Sequence, residues 1–217
     1  MPGASRRSTR CDATLAAVRL CAILPLPPDE DPAAALTPLA GEPAVRRIVR
    51  SLATATDRIL VLAGATLAAR VVAALDGLPA EILEIDESHR RADCLTAAAG
   101  HLRRHDITHV LLADHRHPLL AGDLIERVTE ALAGGAELVI PVLPVTDTVK
   151  VVDAGGAITA TVDRATLQLL QYPRGSTIDR LTVDDLAGAV TVAGNADAVA
   201  AELPADAALL EAVIACR

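Results

Sequence analysis

The sequence predicts an α/β protein with a Rossmann-like, mainly parallel sheet, and two observations support this prediction. Short apolar runs bounded by Gly, Pro or Asp are typical of strands buried on both faces. Amphipathic stretches with helical spacing lie between these runs. Their alternation predicts right-handed helical crossovers on both faces of the sheet. The runs are VRLCAIL at 18–24, RILVLAG at 58–64, EILEI at 81–85, THVLLAD at 108–114 and ELVIPVL at 137–143.

The helices are predicted from apolar residues that recur every three or four positions. Since the chain has no Trp or Phe and a single tyrosine, Tyr172, the core must be built from Leu, Val, Ile and Ala. Such side chains suit closely packed helices and parallel strands. The predicted helices are AVRRIVRSLAT at 44–54, TLAARVVAAL at 66–75, RADCLTAAAGHLRR at 91–104 and AGDLIERVTEALAGG at 121–135.

After residue 143 the pattern changes. VKVV and AITATV, within residues 149–162, predict a β-hairpin whose turn contains Gly155 and Gly156, which would supply positive φ angles. We expect this hairpin to project as an arm, at about 146–164. The rest predicts a short helix, one more strand and a C-terminal helix. We expect residues 17–217 to form a single domain and residues 1–16 to form a mobile tail.

Composition and charge argue against several classes of binding partner for this protein. The formal net charge of −8 argues against nucleic acid, because phosphate backbones need a basic face. No apolar run is long enough to span a bilayer, so no membrane partner is expected. The four cysteines show no CxxC spacing, which favours a reducing cytoplasm over a zinc site or a disulfide framework.

Asp114 is the first candidate site residue, because ligands gather at the carboxyl ends of strands in open α/β sheets. A carboxylate there can hold a divalent metal or a ribose hydroxyl. It can equally cap the helix expected to begin near Leu120, and position alone does not decide between these readings. All six histidines lie between His89 and His117, but their spacing does not predict a metal cluster.

Several segments together resemble one enzyme family. Residues 108–114 end in Asp114, residues 141–150 read PVLPVTDTVK, a hairpin follows, and then comes VDR at 162–164. RADCL at 91–95 resembles an Arg-x-Asp-Ser-Val helix start, and VAGNADAVA at 192–200 resembles a Gly-x-x-Asp-Asn-x-Lys segment. This order is similar to that of the 2-C-methyl-D-erythritol 4-phosphate cytidylyltransferase family of isoprenoid biosynthesis, and the resemblance covers nearly everything from Arg19 onward.

The resemblance implies a nucleotidyltransferase fold and a reaction of CTP with a sugar or polyol phosphate. It implies Mg²⁺ as the cofactor of an active enzyme, and a homodimer clasped through the hairpin arm. The implied site residues are Asp114, Thr148 and Arg164 for the substrate, Arg91, Asp93 and Cys94 for the nucleotide, and Asp114 and Asp197 for the metal.

The glycine-rich phosphate loop of that family is missing. Its backbone N–H groups and basic side chains would hold the triphosphate. In this chain no glycine lies between Arg19 and Gly41, and residues 25–38 carry prolines and the run Asp29-Glu30-Asp31. Prolines offer no N–H, and carboxylates repel phosphate. The loop therefore predicts weak nucleotide binding.

Other family positions also lose positive charge. Lysines of the family pattern are matched by Ala34 and Ala200, and an arginine is matched by His117. The family's Thr-Pro-Gln is Tyr172-Pro173-Arg174, and the segment that follows is shortened. We expect activity to be weak or lost. An active cytidylyltransferase, or a nucleotidyltransferase with another substrate, would need replacement charges from Arg46, Arg47 or Arg116.

Two further functions stay open at this point. A catalytically degenerate paralogue would keep the fold as a dimeric binding or regulatory protein. A sugar-nucleotide-dependent glycosyltransferase is less favoured, because such enzymes typically hold their metal with an Asp-x-Asp and residues 113–118 read ADHRHP.

Overall fold

The computed structural model describes residues 18–216, so the predicted tail at 1–16 lies outside the described residues. The strands are β1 Leu20–Leu26, β2 Pro38–Leu39, β3 Glu42–Pro43, β4 Ile59–Gly64, β5 Ala80–Ile85, β6 His109–Leu112, β7 Leu138–Pro144, β8 Val149–Val152, β9 Ile158–Val162, β10 Gln168–Leu170, β11 Arg174–Thr177 and β12 Val190–Ala193. The helices are α1 Ala44–Leu52, α2 Ala65–Ala74, α3 Arg91–Arg103, α4 Gly122–Ala133 and α5 Ala207–Ala215.

The strands form an eight-stranded sheet in the order β10-β7-β11-β6-β1-β4-β5, with β12 also paired to β7. Strands β6, β1, β4 and β5 are parallel neighbours, as are β12 and β7. Strand β11 runs antiparallel between β6 and β7, and β10 is antiparallel to β7. The predicted α/β class with a mainly parallel sheet is confirmed, and every run predicted as a strand forms one.

Alternate side chains of β1 face opposite layers of the core, as the period of a strand requires. Leu24 packs in the layer that contains residues of α1, α2 and α4. Ile23 packs in the layer that contains Cys94 and Leu102 of α3. The sheet is therefore covered by helices on both faces, and its carboxyl edge stays available for a site.

The sequence patterns do not predict strands β10 and β11. They are short, and Gly175 of β11 breaks the apolar pattern. A Cβ at Gly175 would lie 2.6 Å from Val128 Cγ1 on α4, so this glycine permits the close approach of helix and sheet.

The predicted short helix after residue 183 is wrong within the described chain. Residues 184–189 form a loop, with Gly188 at φ 76°. Arg180 donates to the carbonyl oxygens of Asp185 and Ala187, and the Asp185 carboxylate accepts from the Ala187 N–H. These local bonds use backbone carbonyl and N–H groups that would form the hydrogen bonds of a helix.

The predicted hairpin is present, and β8 and β9 form a two-stranded sheet of their own. Its turn is organised by the Asp153 carboxylate, which accepts from the N–H groups of Gly155 and Ala157 at 2.9 Å each. Gly156 has φ 82°, as predicted, whereas Gly155 does not adopt a positive φ.

None of the helices within residues 18–216 is long and apolar enough to cross a membrane.

Candidate functional site

Asp114 lies two residues after the end of β6, at the carboxyl edge of the sheet, and its side chain is fully buried. Arg116 encloses it from the following turn. The Arg116 backbone N–H and Nε donate to Asp114 Oδ1 at 2.9 and 3.1 Å, and Nη2 donates to Oδ2 at 2.8 Å. Such charge-assisted, bidentate bonds fix both side chains in one geometry.

Arg91, the first residue of α3, joins Asp114 to two further groups. Its Nη2 lies 3.3 Å from Asp114 Oδ2 and within 3.5 Å of the Tyr172 hydroxyl. Its Nη1 donates to Glu30 Oε2 at 3.2 Å. We call Asp114, Arg91, Arg116 and Glu30 the arginine–carboxylate cluster. It brings together residues that lie far apart in the sequence.

The electrostatics of the cluster keep Asp114 ionised. Burial alone would raise its pKa, but hydrogen bonds from Arg116 and the charges of Arg91 and Arg116 hold the pKa well below its usual range. The Arg116 pKa is raised above its ordinary value, chiefly by its hydrogen bonds to Asp114. Both guanidinium groups are therefore neutralised in part by Asp114.

The residues predicted to hold Mg²⁺ do not form a ready metal site. Both Asp114 oxygens accept guanidinium hydrogen bonds, so a cation would have to displace Arg116 or Arg91. Asp197 is exposed in the loop after β12, where its N–H donates to Asn195 Oδ1 at 2.8 Å. Among residues 18–216, no cluster of three or more His, Cys, Asp or Glu side chains could hold a metal.

The loop at 25–38 folds as two short 3-10 helices, Pro28–Glu30 and Pro32–Leu36. Three of its N–H groups donate to carbonyl oxygens of the loop itself. Glu30 donates to the Pro27 carbonyl at 3.1 Å, Ala34 to Asp31 at 3.0 Å and Thr37 to Ala34 at 3.0 Å. These donors are not directed at a ligand, and Glu30 places a carboxylate on Arg91.

His115 and His117 follow Asp114 and are both buried. Burial lowers the pKa of His117 to about 4 and also lowers that of His115. Both imidazoles are therefore neutral near pH 7. His117, which stands where the resembled family has an arginine, supplies no positive charge to the site.

Of the three arginines suggested as replacement charges, only Arg116 lies in the cluster. Arg46 Nη1 donates to the carbonyls of Ala74 at 3.0 Å and Asp76 at 2.8 Å. Arg47 Nε donates to the Leu39 carbonyl at 3.0 Å. The suggestion that Arg46 or Arg47 replaces the lost positive charge is therefore wrong. Both side chains donate to backbone carbonyls and so link α1 to neighbouring segments.

Tyr172 and Arg174 lie beside the cluster, although their sequence marks them only as departures from a family pattern. The Arg174 guanidinium carbon lies 4.7 Å from the centroid of the Tyr172 ring, and the Arg91 carbon lies 5.7 Å from it. The His117 ring is 5.2 Å away, centroid to centroid. Arg174 pairs with Leu112 in the sheet, which places it beside the end of β6.

A model of the 2-C-methyl-D-erythritol 4-phosphate cytidylyltransferase family matches residues 29–213. The chain belongs to this family. A cytidylyltransferase of that name from Nocardia farcinica is 38% identical over 150 residues, which are 68% of this chain and 64% of the relative. The aligned part thus spans slightly less than two thirds of that relative.

Two further likenesses agree with this membership. The cytidylyltransferase of the same name from Saccharopolyspora erythraea is 32% identical over 202 residues, 83% of this chain and 90% of the relative. A crystal structure of the cytidylyltransferase from Thermus thermophilus is 24% identical, with a TM-score of 0.69 over 89% of this chain and 98% of that one. At 24% identity, this likeness supports the fold of the chain and nothing more.

The remaining residues assigned from the cytidylyltransferase family lie in different places. Thr148 and Arg164 are exposed at the base of the arm, where Arg164 donates to the Thr146 carbonyl. Within the described chain no hydrogen bond or ion pair joins either residue to the cluster. Asp93 accepts from the Arg90 N–H at 3.0 Å and so caps α3. Cys94 is buried, and burial raises its thiol pKa to about 11.

Proposed function

We propose that this chain is a cytidylyltransferase-family protein whose cytidylyl transfer is weak or lost. The observation that carries the proposal is the contact of Glu30 with Arg91. A carboxylate of the chain's own loop occupies the guanidinium that the family resemblance assigns to the nucleotide. A triphosphate would have to displace it and would meet a loop with five prolines and the acidic run Asp29-Glu30-Asp31.

In the reaction implied by the family, a phosphate oxygen of methylerythritol phosphate attacks the α-phosphorus of CTP in line. The bond to the bridging oxygen breaks, pyrophosphate leaves, and CDP-methylerythritol forms. Catalysis of this step consists mainly of positioning and charge stabilisation. Mg²⁺ would supply charge neutralisation on the phosphates, but the guanidinium bonds of Asp114 do not favour its binding there.

The residues of this chain supply part of the positive charge that the reaction requires. Asp114 holds Arg116 and Arg91 at the edge of the sheet. Glu30 already pairs with Arg91, so the half-exposed Arg116 is the more accessible of the two to a phosphate. His117 stays neutral and Ala200 has no charge, so the remaining positions add none. Arg164 and Thr148 would contact the sugar or polyol phosphate only if the arm brings them to a site. Each missing preorganised donor typically costs roughly 10²- to 10³-fold in rate.

A dimeric binding or regulatory role is the alternative, and the exposed apolar residues of the arm favour it. Val152 and Ile158, which pair across the hairpin, are 57% and 66% exposed. An isolated two-stranded ribbon is only marginally stable, so a second copy that covers this pair would stabilise the arm. Cys21, Cys94 and Cys216 are free thiols, which agrees with the cytoplasmic location that we propose.

Calorimetric titration of the full chain with CTP and Mg²⁺ tests the proposal. We expect a dissociation constant in the millimolar range or weaker, about −4 kcal/mol or less favourable. Micromolar binding of CTP would contradict the proposal, because the prolines and the Asp29-Glu30-Asp31 run of the loop at 25–38 oppose the binding of a triphosphate.

A further inference from the structure

A pocket lies at the amino edge of the sheet, at the opposite end of the parallel strands from Asp114. It has a volume of about 340 Å³, which is within the range of small-molecule sites. The starts of β1, β4 and β5 and the last turn of α3 surround it, and no residue of the arginine–carboxylate cluster lines it. We call it the amino-edge pocket. A ligand there would not compete with a nucleotide at the carboxyl edge.

The inner wall of the amino-edge pocket is apolar. Leu60, Leu102 and Ile107 line it, and all three are buried side chains of the core layer that contains α3. Cys21 belongs to the same wall, and burial raises the pKa of its thiol to about 12, so the thiol is neutral. Pro79 extends the apolar surface towards the solvent. This wall can contact a branched hydrocarbon side chain.

The mouth of the amino-edge pocket carries charged groups of both signs. Arg58, Asp57 and Glu81 line it, and all three residues are exposed. Glu81 Oε1 lies 3.3 Å from His101 Nε2. Among residues 18–216 no carboxylate forms an ion pair with Arg58, although two carboxylates line the same pocket. The mouth therefore offers a free guanidinium and free carboxylate oxygens to one ligand.

The fold fixes the positions from which these charges reach the pocket. The Arg58 carbonyl accepts from the Ala22 N–H at 2.9 Å, which holds Arg58 beside the start of β1. On the opposite wall, the ring of His101 stacks on the ring of His105, with centroids 4.5 Å apart. His105 Nδ1 lies 3.0 Å from the His101 carbonyl oxygen, and both imidazoles line the pocket. The two walls are thus built on a strand start and a helix end.

We propose that the amino-edge pocket binds a free aliphatic α-amino acid. Arg58 binds its carboxylate, Glu81 and Asp57 bind its ammonium group, and the apolar inner wall contacts its hydrocarbon side chain. A simple carboxylate or a simple amine would leave one sign of charge at the mouth without a partner. The proposal goes beyond the proposed function, because it requires neither CTP nor the loop at 25–38.

Calorimetry of the full chain with four probes separates the parts of the site. L-Leucine carries all three groups, 4-methylpentanoate lacks the ammonium group, isopentylamine lacks the carboxylate, and glycine lacks the side chain. We expect L-leucine to bind with a dissociation constant of about 1 mM or below, and about tenfold or more tightly than each of the other probes. Weaker binding of L-leucine, or equal affinity for L-leucine and any one fragment, would overturn the proposal.

The Arg58→Gln variant assigns the carboxylate to the mouth of the pocket. It should lower the affinity for L-leucine and for 4-methylpentanoate about tenfold, the loss expected for one charge-assisted bond. It should not weaken the binding of isopentylamine. Arg70→Gln is the matched control, because it removes an exposed arginine of α2 outside the pocket, and it should leave all affinities unchanged. An Arg58→Gln protein that is folded by circular dichroism and binds L-leucine like the native chain would overturn the proposal.

The Glu81→Gln variant assigns the ammonium group independently. At low salt it should lower the affinity for L-leucine and for isopentylamine about threefold to tenfold, without weakening 4-methylpentanoate. Glu84→Gln is the control, because Glu84 is exposed on the same strand but points to the other face of the sheet. Equal effects of these two variants would show that only the overall charge of β5 matters, and would overturn the proposed site.

Discussion

At the scale of single residues, the contact of Glu30 with Arg91 carries the proposal of weak nucleotide binding. It lies on a loop without glycine, and its carboxylate is 3.2 Å from Arg91 Nη1. Arg91 in turn lies 3.3 Å from the buried Asp114. Two carboxylates therefore share one guanidinium, and little of its charge is left for a phosphate.

Replacing Glu30 with Gln should strengthen nucleotide binding. The change removes one negative charge next to Arg91 while keeping the size of the side chain. We expect the affinity for CTP, measured by calorimetry at low salt, to rise about threefold to tenfold. Asp29→Asn is the matched control, because Asp29 is exposed in the same loop, and it should change affinity much less. Equal effects of the two variants would mean that only the overall charge of the loop matters.

The buried histidines predict how stability depends on pH. The folded pKa of His117 is about 4, below its ordinary value near 6.5. Protons bind the unfolded chain first, so the full stability is present above pH 6.5 and is lost as the pH falls towards 4. From His117 alone we expect the free energy of unfolding to be about 2 kcal/mol smaller at pH 5 than at pH 7.5.

Urea denaturation at the two pH values measures this difference. His117→Gln should reduce the pH dependence by most of that amount. His105→Gln, which replaces an exposed histidine, should leave the pH dependence unchanged. A His117→Gln protein with the native pH dependence would show that this imidazole is not kept neutral by burial.

The sequence could predict that Asp114 lies at the edge of the sheet as a candidate site residue, but it could not predict which residues Asp114 contacts. A carboxylate after a buried run indicates the edge of the sheet without any knowledge of packing. The contact of Glu30 with Arg91 joins residues 61 positions apart and depends on how two 3-10 turns lie against α3. Arg174 reaches the site through an antiparallel strand that has no apolar run to reveal it.

At the scale of elements, the arm is the part that most needs a partner. Among residues 18–216, no other strand pairs with β8 and β9, and Val152 and Ile158 are exposed. Replacing residues 150–161 by a short Gly-Ser linker should convert a homodimer into a monomer, as measured by light scattering. A native chain that is monomeric at micromolar concentration would remove the basis for a dimer through the arm.

A milder pair of variants controls for loss of the hairpin itself. Val152→Ser with Ile158→Ser removes apolar surface and should weaken the dimer about tenfold or more. Lys150→Gln changes a neighbouring strand residue whose Nζ donates to Thr161 Oγ1 at 2.7 Å, and it should weaken the dimer much less. If both changes weakened the dimer to a similar degree, the loss would come from a less stable hairpin. It would not then come from the loss of apolar contact at Val152 and Ile158.

The elements themselves were largely predictable, since buried strands and amphipathic helices leave distinct periods in the sequence. Helices α1 to α4 form where their amphipathic patterns indicate. The five apolar runs predicted as buried strands form β1, β4, β5, β6 and β7. Strands β10 and β11 are defined by partners distant in the chain. The loop at 184–189 is set by hydrogen bonds of Arg180 and Asp185 that outweigh its helical pattern.

At the scale of the whole molecule, the family fold is kept while the charge expected for phosphate chemistry is reduced. The chain matches the cytidylyltransferase family over residues 29–213, and its sheet presents Asp114 at the usual edge for ligands. The net charge of −8 adds no general attraction for CTP. Binding and turnover must therefore come from local donors, and the cluster offers few.

Pyrophosphate release from CTP and methylerythritol phosphate in the presence of Mg²⁺ measures whether cytidylyl transfer is lost. The Saccharopolyspora erythraea relative is a suitable comparison enzyme, and an Asp114→Asn variant of this chain gives the background. With at least two donors missing, we expect a rate about 10⁴-fold or more below the comparison enzyme and equal to that of Asp114→Asn. Release well above the Asp114→Asn background, together with micromolar affinity for CTP, would contradict the account.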